Sequence, residues 1–204
     1  MKEVALSPEI TAKLETIYKE LARDYNRVAE QLNFSCDNCP DNCCDSYFLH
    51  HTYLEWAYLW SGFCRLEDNR QDEIFKRCHR YILRCTEQES RGVRPQVMCP
   101  LNEGGRCILY HHRLLVCRTH GVPATMTRPD GRILRFPGCF RCQEIVGAEI
   151  SAPQSPVVER TAALGKLVFL EDELLDHKRS LLPRVKLTIA EMLVKGAPHI
   201  PVLT

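Results

Sequence analysis

Four thiols fall within nine residues at Cys36-Asp37-Asn38-Cys39-Pro40-Asp41-Asn42-Cys43-Cys44. Turn-forming residues occupy every gap between them, so the stretch reads as a tight loop able to wrap an ion. The Cys36-x2-Cys39 spacing is that of a metal knuckle, in which two intervening residues let both sulfurs converge on one centre about 2.3 Å away. Cys43 and Cys44 are adjacent, and neighbouring side chains diverge in regular backbone. One of them therefore serves a second metal or a cluster edge, or is simply buried.

Two further blocks carry the same chemistry. Cys99-Pro100-Leu101 leads through Gly104-Gly105 to Cys107, and the glycine pair marks a turn that can bring Cys99 and Cys107 together. Cys117 follows, with His120 three residues later as a secondary ligand candidate and Gly121 after it. Cys139-Phe140-Arg141-Cys142 is a second C-x2-C knuckle, entered through Gly138. The metal-ligand set expected from spacing is Cys36, Cys39, Cys43, Cys44, Cys99, Cys107, Cys117, Cys139 and Cys142. Eight thiols suffice for two four-thiolate sites, and all-sulfur ligation suits zinc and an iron–sulfur cluster alike. His50 and His51 are weaker candidates beside a helix cap.

Compartment decides how the twelve cysteines of this 204-residue chain are read. The opening residues lack the apolar run of a signal peptide, and no stretch is long and apolar enough to span a bilayer. A cytoplasmic protein is expected, and in a reducing compartment clustered thiols point to metal rather than disulfides. The net charge of +1 gives no global reason to expect a nucleic acid or an anionic membrane as partner. Locally the balance differs, with seven arginines between Arg106 and Arg141 against the single acid Asp130. That 106–141 segment would offset the negative charge of a thiolate-bound metal, or dock an anionic ligand or a protein partner, or form a solvated face. Metal-free catalysis has little support: there is no Gly-rich phosphate loop, nucleophile elbow or H-E-x-x-H pair. A nucleophilic Cys117 with His120 is the remaining non-metal option.

The elements that must position these thiols are mainly helical. Residues 7–32 read as a helix with Ser7 capping, Pro8 at the first position and an apolar stripe of Ile10, Leu14, Ile17, Tyr18, Leu21, Tyr25, Val28 and Leu32, closed by Asn33. Tyr47 to Leu49 suits a short strand, and Thr52-x-x-Glu55 is a capping box opening an aromatic core helix to about Trp60. A long helix from Leu66 or Glu67 to about Gln88 carries Ile74, Cys78, Tyr81, Ile82 and Cys85 on one face. Cys78 and Cys85 lie two turns apart and cannot share an ion, so they and Cys64 read as small buried hydrophobes. A strand over 107–110 and two helical turns over 112–118 are expected next. Ala124–Thr127 and Arg132–Phe136 flank Pro129-Asp130-Gly131 as a hairpin. Ser155–Leu175 and Val185–Lys195 read as helices with Gly196 as the stop, Val158, Leu164, Leu167, Val168, Leu175, Leu187, Ile189, Met192 and Leu193 facing the core. The expected architecture is a mainly α single domain over 1–204. It comprises the 7–32 helix, a 36–142 cysteine-cluster core with a small β-hairpin at a metal-binding pole, and C-terminal helices over 155–196.

The pattern Cys36-x2-Cys39-x3-Cys43-Cys44, Cys99-Pro-Leu, Cys107-Ile-Leu-Tyr, Arg113-x3-Cys117-Arg118 and a late cysteine pair resembles the YkgJ-type cysteine-cluster proteins. The resemblance covers about residues 36–142, and Thr52 with Glu55 fits it too. Three residues separate Cys39 from Cys43 where that family usually has two, and Leu114 stands where it has proline. The resemblance implies binding of zinc, iron or an iron–sulfur cluster and is silent on a reaction, although related cysteine blocks occur in flagellin lysine-N-methylases. The functional expectation is a metal-binding protein in redox, sensing or metal-dependent modification. The alternatives are a structural-zinc interaction module, or a metalloenzyme acting on a protein or a small anionic substrate.

Overall fold

Short polar residues and glycines at the ends of apolar stretches set the element boundaries. A computed structural model describes residues 1–36, 43–147 and 155–202. In chain order the elements are β1 (Lys2–Glu3), α1 (Pro8–Gln31), α2 (Tyr53–Phe63), α3 (Asp68–Ser90), β2 (Asn102–Glu103), β3 (Arg106–Cys107), α4 (Leu115–Thr119), β4 (Ala124–Thr127), β5 (Ile133–Phe136), α5 (Phe140–Val146), β6 (Val158–Glu159), α6 (Thr161–Leu174), α7 (Ile189–Lys195) and β7 (His199–Ile200). The mainly helical expectation holds.

Ser7 Oγ accepts the Ile10 amide at 3.2 Å, satisfying one free donor at the start of α1. At the other end Asn33 turns left-handed, with φ of 48°. The Asn33 amide then reaches the Glu30 carbonyl and the Phe34 amide the Ala29 carbonyl, the two bonds of a Schellman close. Asparagine tolerates that backbone where a β-branched residue would not. Thr52 caps α2 through its hydroxyl to the Glu55 amide at 3.1 Å. Glu171 accepts the neighbouring Tyr53 amide at 2.6 Å and is held in turn by Arg179. Thr188 and Glu191 complete a full capping box on α7.

The chain divides into two compact units, each drawn from separate stretches of sequence: 1–11, 44–114 and 169–204 in the first, 12–43 and 115–168 in the second. In the first, α2, α3 and α7 close over an apolar core that includes Phe63, Ile74, Cys78, Leu101, Leu114, Met192 and Leu193. Trp56 Nε1 donates to the Met192 and Gly196 carbonyls, fixing α2 to the end of α7. β1 pairs antiparallel with β7, Lys2 opposite Ile200. β2 and β3 form a hairpin over Gly104-Gly105, whose φ values of 55° and 85° suit a two-residue turn with both centres left-handed. In the second unit, β4 pairs antiparallel with β5 and parallel with β6, in the order β5-β4-β6. The expected hairpin is present with a third strand added.

Several boundaries differ from expectation. Residues 47–49 form no strand: the flanking Ser46 and His50 each make a single bridge, to Gln96 and Leu187. Because Leu187 is spent on that bridge, the helix expected from Val185 begins only at Ile189. The helix expected from Ser155 begins at Thr161, since Val158 and Glu159 pair with Ala124 and Thr125 instead. The 107–110 strand stops at Cys107, and a 3-10 turn over Tyr110–His112 precedes α4, which is shorter than the two turns expected. Val168 is exposed rather than core, and Cys64 at the C-cap of α2 is exposed rather than buried. Cys78 and Cys85 are buried as expected.

Candidate metal centre

The knuckle at Cys139-x2-Cys142 opens α5. Cys139 sits at the N-cap with extended backbone, and its Sγ accepts the Cys142 amide at 3.5 Å. An amide hydrogen bond to sulfur stabilises a thiolate, and it orients both thiols on one helical turn. Both are buried, at 7% and 0% exposure. Burial pushes the Cys142 thiol up to about 11, and Cys139 and Cys36 add to the rise through their own charge. Three of the expected ligands, one from the first block and two from the last, are thus electrostatic neighbours in the second unit.

The contacts that bring these blocks together run through Tyr25 and Gly121. Tyr25 Oη lies 3.4 Å from Cys36 Sγ. A Cβ on Gly121 would stand 2.2 Å from the same hydroxyl, so α1 packs onto the backbone just past α4 only because residue 121 is glycine. The Gly121 carbonyl then accepts the Cys139 amide at 3.2 Å. Gly138, with φ of 86°, lets the chain pass so close that a Cβ there would lie 2.9 Å from the Val122 carbonyl carbon. Cys117 lies on α4, half-buried, and His120 follows just past its end, also half-buried. Arg118 of α4 stacks over the Tyr18 ring at 4.1 Å, a second link from α4 to α1.

Arg160 is the notable charge of this unit. It is 5% exposed, donates to the Thr119 carbonyl at 2.9 Å and lies over the Phe136 ring at 4.8 Å. Its Nε is buried without a hydrogen-bond partner, and it has no carboxylate partner among the described residues. Burial lowers its pKa to about 10. A buried cation without a counter-ion is costly.

In the first unit the remaining ligand candidates are tied by backbone. The Cys99 amide donates to the Cys44 carbonyl at 3.0 Å, and Gln96 reaches Asp45 at 2.7 Å. The Asn102 amide donates to the Cys99 carbonyl, and Asn102 stands opposite Cys107 in the β2–β3 register. Cys44, Cys99 and Cys107 are all half-buried. The glycine turn therefore does bring the Cys99 and Cys107 segments side by side. Cys43 begins the 3-10 turn Cys43–Asp45, and Cys39 lies outside the described residues. Among the described residues, no three His, Cys, Asp or Glu side chains close into a set that could hold a metal ion.

The histidines beside α2 have structural surroundings. His50 is 3% exposed, and His51 Nδ1 lies 3.2 Å from the Val185 carbonyl. Of the seven arginines over 106–141, Arg113 stacks on Tyr110, Arg118 on Tyr18, and Arg128 pairs with Asp130 at 3.5 Å. Arg132 and Arg135 are exposed. Sequence inspection missed the Tyr25–Gly121 link and Arg160. The one available signal was glycine directly after a thiol-bearing segment, which marks close backbone approach. No protein-family model, curated protein or solved structure matches the chain. Among the described residues no helix is long and apolar enough to cross a membrane.

Proposed function

We propose that this chain is a thiolate metal-binding protein of the YkgJ type, carrying zinc or an iron–sulfur cluster. The observation that carries this is the Cys139–Cys142 knuckle, with its amide on sulfur, beside Cys36 in one unit. Tyr25 and Gly121 hold those segments together. The donor set fits such a group. Thiolates favour both metals, the knuckle spacing suits either, and buried Arg160 supplies a cation against the net negative charge of a thiolate centre. Cys36, Cys139 and Cys142 would hold the group from this unit, with Cys39, Cys43 and Cys117 the expected ligands nearest in sequence to join them. A bound zinc would cross-link the loop segments, whereas a cluster would add one-electron transfer.

Cys44, Cys99 and Cys107 belong to the other unit and are the thiols available for a second centre. The boundary between the units falls between Cys43 and Cys44, whose adjacency in sequence already argues against one shared ion. Anaerobic purification with metal and acid-labile sulfide analysis tests the proposal. Broad visible absorption with iron and sulfide identifies a cluster, and colourless protein with stoichiometric zinc identifies a zinc centre. Chain that folds with neither, under metal-replete and cluster-assembly conditions alike, overturns it.

A further inference from the structure

α3 presents Arg77, Arg80 and Arg84 along one edge, facing the segment 97–102 across a cleft of about 250 Å³. The three arginines do not stand equal. Arg77 and Arg70 share Glu73 and Glu103, two cations against two carboxylates, with Arg77 2.7 Å and Arg70 2.5 Å from Glu103. Arg80 and Arg84 have no ion pair or hydrogen bond among the described residues. The cleft thus keeps two uncompensated guanidinium groups on a helix face.

Asn102 stands on the opposite wall. Asn102 Oδ1 accepts the Gly105 amide at 3.3 Å, which fixes which end of the side-chain amide is which. Its Nδ2 is left buried with no hydrogen-bond partner. Glu103, the next residue, is clamped by Arg70 and Arg77, so that wall of the cleft is held in place. Asn102 lines the same cleft as the two unpaired arginines, although its Nδ2 is itself closed off from solvent. The remaining lining is largely apolar, from Tyr81, Val97, Met98 and Pro100.

We propose that this cleft binds a small organic phosphate monoester, the phosphate on Arg80 and Arg84 and the organic body against Tyr81, Val97 and Pro100. Guanidinium forks match phosphate oxygens, and a monoester carries close to two negative charges at neutral pH, which balances the two free arginines. The volume lies just below the roughly 300–1,000 Å³ of ordinary ligand sites, which selects a compact molecule. The site stands apart from the 106–141 arginines and does not rest on metal binding, although Cys99 also lines the cleft.

The test titrates the full-length protein with phenyl phosphate, inorganic phosphate and benzoate, following binding by calorimetry and by ¹H–¹⁵N spectra. Phenyl phosphate is expected to saturate below about 10 mM, with shifts at residues 97–102, and to bind more tightly than either other probe. Arg80→Gln and Arg84→Gln each weaken it about tenfold, and the double variant more, while melting temperature and metal content per chain stay at the parent values. No saturable binding, or binding indifferent to both substitutions, overturns the site. Inorganic phosphate binding as tightly as the ester removes the role of the apolar wall, and benzoate binding as tightly removes phosphate selection. Either result overturns the monoester assignment. Because metal content is measured separately, failure here leaves the thiolate reading where it stood.

Discussion

Two pairs of buried cysteines teach opposite lessons. Cys78 and Cys85 lie on the inner face of α3 among Ile74, Phe63 and Leu101, and burial alone lifts the Cys78 thiol to about 12. Cys139 and Cys142 are as well buried, but one sulfur accepts the other's amide and a third thiol, Cys36, lies near enough to be felt. The first pair fills an apolar core, Cys78 as any small hydrophobe would and Cys85 with the Tyr81 hydroxyl bonded to its sulfur. The second is arranged as a donor set. Depth of burial does not separate a core thiol from a ligand thiol; what else touches the sulfur does.

The largest expected effect tests that contrast directly. Cys139→Ser or Cys142→Ser should remove the metal held by the knuckle, lowering metal content per folded chain by that centre's full share, whereas Cys78→Ser should keep full metal and lose about 1–3 kcal/mol of stability from a hydroxyl placed in an apolar core. Metal analysis beside denaturant melts reads both. Loss of metal from folded Cys78→Ser protein would erase the distinction.

Next in size is the turn that delivers the knuckle. Gly138→Ala puts a side chain on left-handed backbone and against the Val122 carbonyl carbon, and should cost about 2–4 kcal/mol. If the knuckle depends on that close approach, metal affinity falls with stability, measurable by chelator competition. A variant of parental stability and affinity would show that the backbone there is not held closely.

The structural histidine gives a smaller, pH-dependent effect. Burial holds the His50 pKa below its ordinary 6.5, against the opposing pull of Glu55. The unfolded chain takes up that proton as pH falls through 6.5, while the folded chain resists. His50 therefore contributes stability that is fully present above 6.5 and is lost, by at most about 1.4 kcal/mol per pH unit, as pH falls toward the folded pKa. His50→Gln should flatten this acid-side limb in urea melts between pH 7 and 5. An unchanged slope would assign it to other groups.

Much of this was legible before any coordinates. Ser7, Asn33 and Thr52 announce their helix ends because capping is local chemistry, and Gly104-Gly105 announces its turn for the same reason. The three- and four-residue period of Ile74, Cys78, Tyr81 and Cys85 separates core thiols from the clustered ones. Contacts between distant segments were not legible. Nothing in Tyr25 or Gly121 alone says that they meet, and nothing in Leu187 says that it bridges His50 instead of starting a helix. Nothing in Arg80 or Arg84 alone says which wall stands opposite them.

The smallest expected change concerns the ion-pair network at that cleft. Glu103→Gln breaks partly exposed pairs to Arg70 and Arg77 and should alter stability by no more than about 1 kcal/mol, read from thermal melts at low and high salt. A larger, salt-insensitive loss would mean that the network holds β2 in place rather than decorating it.

The bond from Trp56 to the end of α7 makes the molecule its own spectroscopic probe. The chain's two tryptophans, Trp56 and Trp60, both lie on α2 in the first unit. Indole emission therefore watches one unit and is blind to the other, where thiolate-to-metal absorption would report. Recording both signals through one denaturation would show, without any label, whether the apolar core of the first unit and the Cys139–Cys142 knuckle of the second melt as a single cooperative body or as two.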